Sequence, residues 1–342
     1  PVSRGGRTPV LIIDSYAVAV GLCLITMLCW GSWANTLKLA GKDWPFPLYY
    51  WDYSIGLVLT SAVLGLTLGS MGAEGRGFLA DLAQADGAML RSAFIGGVVF
   101  NIANLLVVAA IDVAGLAVAF PVAIGLALVI GVVVNYLQTP LGDPLLLFGG
   151  VALVVAAILV DARAYSKLPS AKGATARGLV LSVLAGVLMG FFYRFVAASM
   201  VSNFRSPEAG RLTPYTAMFV FTLGVFLSNF LWNTFFMYKP VSGSRSTYGE
   251  YFSKGSLRLH LIGILGGFIW CFGMTMSLIA AEQAGFAISY GLGQGATMVA
   301  AAWGVFIWKE FKDAPEGTGR LLGAMFGLFI VGLGMIITAR LV

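Results

Sequence analysis

Residues 179–201 read LVLSVLAGVLMGFFYRFVAASMV. A run of that length crosses a bilayer, whose hydrocarbon takes roughly 20 apolar residues in helical form. Within it stands Arg194, whose guanidinium cannot lose its charge. At the bilayer centre that charge costs from roughly 3 to more than 10 kcal/mol. A chain that keeps it is expected to turn it toward a water-filled cavity or a carboxylate partner. The stretch therefore predicts a membrane bundle enclosing a polar cavity, the outline of a transporter.

The rest of the chain agrees. Its 342 residues are 59% hydrophobic and 11% charged, with mean hydropathy +0.90, whereas soluble domains carry about 25% charged residues. The net charge of +6 does not point to nucleic acid, because the basic residues cluster between apolar runs as membrane topology demands. Cys23, Cys29 and Cys271 lie inside apolar runs and read as small buried hydrophobes. His260 is the sole histidine, so no zinc-type cluster is available and no metal or cofactor is expected. The chain opens Pro1-Val2-Ser3-Arg4 without an initiator Met, which suggests trimmed N-terminal sequence, and it shows no cleavable signal-peptide pattern.

Apolar periodicity predicts ten spans, at about 15–39, 48–70, 91–111, 115–137, 143–161, 177–201, 214–237, 260–281, 284–307 and 320–341. The third and fourth are joined only by Asp112, Val113 and Ala114, and the eighth and ninth by Glu282 and Gln283. Seven Lys and Arg fall on the side of the N-terminus and thirteen on the other. The positive-inside rule then places the central loop 162–176 in the cytoplasm and both termini outside, in a bacterial inner membrane.

The chain also repeats itself at an offset of 170 residues. AIDVAGLAVAFPVAIG, from Ala110, overlies AAEQAGFAISYGLGQG, from Ala280. Gly96-Gly97 overlies Gly266-Gly267, Gly115 overlies Gly285, and Asp112 overlies Glu282. The two units are 1–161 and 177–342. With five spans in each, an odd number, the second enters the membrane inverted, and inverted repeats build a midplane site with alternating access.

Three stretches carry a family resemblance: Trp30-Gly31-Ser32-Trp33 running to Lys38; Tyr50-Trp51-Asp52-Tyr53-Ser54 with Leu66-Thr67-Leu68-Gly69; and Gly96-Gly97-Val98-Val99 through Asn104-Leu105 to Asn135-Tyr136. Gly266-Gly267-Phe268-Ile269-Trp270 and Trp303-Gly304-Val305-Phe306 with Lys309-Glu310 extend it into the second half. Together they resemble the drug/metabolite transporter (DMT) superfamily, in the branch joining bacterial glucose/ribose-type sugar porters with plant ureide permeases. The resemblance implies ten helices in two five-helix inverted repeats. Ureide permeases have a longer central loop with a nucleotide-binding-like motif. Loop 162–176 is short and lacks Gly-Lys-Ser/Thr, so it lends no support to ATP coupling.

The candidate substrate contacts are Arg194 with Tyr193, and the amides and hydroxyl of Asn35, Ser32, Asn101, Asn104 and Gln294. Amides both donate and accept, which suits sugar hydroxyls or ureide and nucleobase amides; the bland alternative is interhelical bonding. Trp30, Trp33 and Trp270 are candidate aromatic walls, or else ordinary packing tryptophans. Asp52 is the candidate for a coupling proton; it would otherwise pair with Arg194, or serve as an interfacial acid in the first turn of its helix. Gly291-Leu292-Gly293-Gln294-Gly295 lacks the strand and Lys-Ser/Thr of a phosphate loop. No nucleophile, base or metal constellation suggests an enzyme. The leading expectation is a secondary transporter of a small, mostly neutral polar solute, a sugar or a ureide or nucleobase, with protons as the candidate coupling ion. The alternative is an exporter of drugs or amphipathic metabolites.

Overall fold

In hydrocarbon every backbone N–H and C=O must be satisfied within its own segment, which favours helices. The computed structural model describes residues 10–41, 44–72, 74–169, 175–241 and 243–342, and these are helical apart from short connections and two isolated β-bridges. Arg4, Arg7, Lys42 and Lys172, four of the charges used above to orient the chain, lie outside the described residues.

Among the described residues, nine helical stretches are long and apolar enough to span a membrane. In chain order, α1 (Tyr16–Ser32) is continued by α2 (Asn35–Ala40), and α3 (Phe46–Leu66) follows. A short helix α4 (Phe78–Gln84) precedes α5 (Gly87–Ala114), α6 (Leu116–Gln138) and α7 (Pro144–Tyr165). Next come α8 (Ala176–Ser199) and α9 (Pro214–Asn229), the latter continued by α10 (Trp232–Tyr238). A short helix α11 (Tyr248–Lys254) precedes α12 (Leu257–Ala284). The stretch 284–307, expected as one continuous span, is instead α13 (Phe286–Gly293), α14 (Ala296–Ala302) and a π-turn Trp303–Ile307. α15 (Thr318–Thr338) is the last helix.

Local chemistry sets the helix starts. Pro144 and Pro214 open α7 and α9, where a missing N–H costs nothing. Asp143, Thr175 and Ser256 cap α7, α8 and α12 by accepting backbone N–H groups. The hairpin links differ from the expectation. α5 runs on through Asp112 and α12 through Glu282, and each then turns on a single glycine, Gly115 (φ 75°) or Gly285 (φ 84°). Glycine takes a positive φ without the strain a side chain would bring, so one residue suffices for the reversal.

The 170-residue offset reappears in the helix limits. α4 and α11 share it residue for residue, and so do α5 and α12, both 28 residues long. The packing follows the same exchange: α5 lies against α8 and α9, while α12 lies against α1 and α3. Small residues allow these close approaches. Gly97 sits against the carbonyl of Phe221, and its repeat mate Gly267 sits against the carbonyl of Tyr53.

The start of α1 and the end of α15 meet on one face, the terminal face, where the Tyr16 hydroxyl donates to Ile337 O at 2.6 Å and Arg205 pairs with Asp14 and Glu74. The end of α7 lies on the opposite, loop face, where Tyr165 donates to Glu310 and Glu310 pairs with Lys38 at 2.5 Å.

Candidate functional site

Two helix interruptions meet inside the bundle. α1 gives way to α2 at Trp33–Ala34, and α13 gives way to α14 at Gln294–Gly295. Gly291, Gly293 and Gly295 weaken the second helix by about 1 kcal/mol each relative to alanine. They also let it press on α1: a Cβ on Gly293 would stand 2.8 Å from Trp30 Cζ3, and one on Gly295 2.5 Å from Met27 Sδ. The break turns Gln294 inward.

Beside it lies a cavity of about 150 Å³, whose walls include Trp30, Trp33, Phe100, Phe120, Phe192 and Trp270. Trp30 and Trp270 stack with centroids 5.7 Å apart and planes at 12°. Trp270 also meets Phe100, its partner at the 170 offset, at 4.4 Å. Two carboxamides line the cavity. Asn104 donates from Nδ2 to the Tyr50 hydroxyl at 3.1 Å, which leaves the other end of its amide free. Gln294 is 8% exposed, and its side chain makes no hydrogen bond among the described residues. Among the described residues, the cavity lining carries no charged side chain.

A vestibule of about 220 Å³ continues from this cavity, sharing Phe120, Thr297 and Ala300 with it. It opens toward the loop face between Asn35, Lys38, Asp161, Tyr165, Trp308 and Glu310. On the terminal side the way is shut. There the Tyr193 hydroxyl bonds to Ser277 Oγ at 3.0 Å, Ser277 Oγ to Ser289 Oγ at 2.8 Å, and Tyr290 donates to the carbonyls of Ala127 and Met189. Among the described residues, the two spaces thus lead toward the loop face.

The structure brings Trp33, Asn104, Trp270 and Gln294 together on the cavity, and Trp30 with them. It separates the other candidates. Arg194 does not enter the cavity: it is exposed on α8, five residues before the helix ends, and its guanidinium reaches Gln138 Oε1 at 2.9 Å. A long side chain near a helix end carries its charge to the interface, and that resolves the cost which made Arg194 look central. Tyr193 is fully buried in the terminal-side seal and does not line the cavity. Asn101 turns to α9, donating to Val225 O and Ser228 Oγ, as an interhelical tie. Ser32 and Asn35 accept the indole N–H groups of Trp303 and Trp308, and Asn35 faces the vestibule, not the cavity.

Asp52 does not pair with Arg194. It is buried, and its Oδ1 accepts from the Tyr251 hydroxyl at 2.5 Å and lies 2.8 Å from His260 Nδ1, outside both spaces. Burial, and then the hydrogen bond to Asp52, push the Tyr251 phenol above its usual range, so it remains a donor. The cluster pins α11 and the start of α12 to α3.

Sequence reading missed Asp161 and Tyr165. The available signal was an acid closing the apolar run LLLFGGVALVVAAILVD, which had been read as the end of a span. It also missed Phe100, which was legible as the repeat mate of Trp270.

Comparison with known proteins matches this chain to the family model described as ureide permease, over residues 49–168 and 168–339. Ureide permease 1 of Arabidopsis thaliana is 23% identical, over 96% of this chain and 98% of its own length. Ureide permease 2 of the same plant is 24% identical over the same shares, and probable ureide permease A3 of Vigna unguiculata is 22% identical over 90% and 99%. One solved crystal structure superposes with a TM-score of 0.57 at 16% identity, covering 95% of this chain and 99% of its own, a likeness that speaks for the fold alone.

Proposed function

The chain belongs to the ureide permease family, and from that premise we propose that it moves a small, neutral, urea-bearing solute across the membrane through the aromatic cavity by alternating access. That it is a membrane permease and not an enzyme follows from the family and the apolar helices. The solute is inferred from the cavity.

The observation that carries the reading is the pairing of aromatic walls with two under-used carboxamides, Asn104 and Gln294, in a chamber without charge. A ureide is flat and bears N–H donors beside C=O acceptors. Its faces stack on indoles, and its edges match amides that also donate and accept. Among its described lining residues the cavity offers no acid to hold a cationic drug, which weighs against the exporter. A sugar would also stack on the tryptophans, and the family membership supports the ureide over it.

Alternating access rests on the repeat. The exchange of packing partners at the 170-residue offset, the broken helix at the cavity and the closed terminal side are what two inverted five-helix units would produce. On this reading 284–307 serves as the discontinuous ninth span, which brings the total to ten. We place the loop face in the cytoplasm on the charge bias of the sequence, in a cell membrane of bacterial type.

The test is the thermal stability of the purified chain against allantoin, uracil, glucose and a lipophilic cation. A ligand that binds the folded state raises stability by RT ln(1 + [L]/Kd), about 2.7 kcal/mol at 100 times Kd. Allantoin is expected to raise the melting temperature and the cation to leave it unchanged. A shift with glucose alone moves the assignment to sugars, and a shift with the cation alone moves it to the exporter.

A further inference from the structure

The vestibule holds a carboxylate that the substrate cavity does not use. Asp161 lines it, is 7% exposed, and its Oδ1 is fully buried without a hydrogen-bond partner. No cation pairs with Asp161 among the described residues. An acid kept within a membrane-spanning helix is a functional hypothesis by default. Asp161 also lies near the carboxyl end of α7, where the helix dipole does nothing to offset a negative charge.

The groups around it are few. From its own helix comes Tyr165, whose hydroxyl donates to Glu310 Oε2 at 3.0 Å. From the segment after the π-turn comes Glu310, whose Oε1 takes Lys38 Nζ of α2 at 2.5 Å. Lys309 has φ 53°, an uncommon conformation for a side-chain-bearing residue. It returns the chain so that Glu310 N bonds to Gly304 O at 2.9 Å and the Glu310 carboxylate faces the vestibule. Glu310 is thus neutralised by Lys38, while Asp161 has no counter-ion among the described residues and lines the vestibule that leads to the cavity.

We propose that Asp161 is the proton-binding site that couples transport, replacing Asp52 in that role, and that its protonation licenses closure of the vestibule. The inference rests on the permease reading above. A proton from water at the loop face adds to the Asp161 carboxylate and leaves it again when the bundle opens to the other face; no other bond changes. Closure must bring the segment carrying Trp303, Trp308 and Glu310 down on Asp161, because the two indoles already tie that segment to Ser32 and Asn35 at the α1–α2 break. A charged Asp161 would oppose the movement through its desolvation and its repulsion from Glu310. A neutral one would not. Asp52 lacks this access, being held by Tyr251 and His260 away from both spaces.

Two readouts test this on the full chain. The first is infrared difference spectroscopy of the purified protein during a pH titration without solute. The wild type is expected to show a protonated-carboxyl stretch that Asp161→Asn removes and Asp52→Asn retains. The second is allantoin accumulation in proteoliposomes under an imposed proton gradient. With one proton per solute, a gradient of about one pH unit supports about tenfold accumulation, since both ratios are tenfold. Asp161→Asn is expected to bring accumulation to about the level without a gradient, while allantoin counterflow persists and shows that the protein is folded and binding. Asp161→Glu is expected to restore accumulation. Gradient-driven accumulation that survives Asp161→Asn, a carboxyl band lost in Asp52→Asn instead, or Asp161-dependent accumulation driven by Na⁺ and not by protons would overturn the proposal. Were allantoin not bound at all, the ureide reading would fail, and the infrared titration would still decide whether Asp161 takes the proton.

Discussion

Gln294→Leu separates a binding amide from a structural one. Gln294 is 8% exposed, lines the cavity and makes no side-chain hydrogen bond among the described residues. Replacing it with leucine removes an unpartnered polar group, and burying such a group costs about 1–3 kcal/mol on mutational scales. The empty variant should therefore melt no lower than the wild type. Binding should move the other way. An allantoin group left unpaired against the new leucine loses about 1–3 kcal/mol, which is about 5- to 150-fold in Kd. For a 50-fold loss, a ligand supplied at about 100 times the wild-type Kd would stabilise the variant by about 0.6 kcal/mol, against about 2.7 for the wild type. Calorimetric Kd and melting curves with and without allantoin measure both signs at once. A variant that melts lower when empty yet binds allantoin within twofold of the wild type would refute the reasoning and make Gln294 a packing residue.

Arg194→Ala should leave allantoin uptake within about twofold of the wild type and change stability by less than about 1 kcal/mol, as expected of a surface position; abolished uptake in a folded variant would return Arg194 to the transport path. Tyr193→Phe removes the hydroxyl shared with Ser277 and Ser289. It should lower stability by about 0.6 to 1.7 kcal/mol, the range for hydrogen bonds between membrane helices, with the allantoin Kd unchanged by calorimetry. Gly267→Ala sets a methyl against the Tyr53 carbonyl at the α3–α12 crossing, and the overpacking should cost roughly 1–3 kcal/mol, read as a lower melting temperature without ligand.

The spans were legible because lipid imposes a coarse, long-range signal: twenty apolar residues look alike wherever they occur. The signal that failed was direction. Arg194 and Asp161 both stand near helix ends in apolar runs, and the sequence alone does not say which one turns inward. The structure answers through side-chain length. Arginine has the reach to carry its charge to Gln138 at the edge, whereas the short aspartate stays where its backbone leaves it, buried at the vestibule. Asn101 parts from Asn104 for a related reason. Three helical positions differ by about 60° in direction, enough here to put one amide on α9 and the other on the cavity. The break at Gln294–Gly295 was foreshadowed by its glycines, but glycine in a membrane helix more often marks close packing, and at Gly293 it does both.

The comparison of the two units explains why the chemistry sits where it does. Gly97 and Gly267 seat their helices alike, and Gly115 and Gly285 turn them alike, so the frame is common property. The cavity is built where the copies differ. Phe100 is matched by Trp270, which adds stacking surface, and Ile124 is matched by Gln294, which adds an amide. α6 continues through Pro121 as one helix, while its counterpart breaks into α13 and α14. A helix that breaks exposes backbone groups that lipid cannot satisfy, so the break needs a place buried in protein or beside a water-filled space. At Gln294–Gly295 that place is the cavity wall, and the polar residue presented there, Gln294, is the one expected to touch the solute.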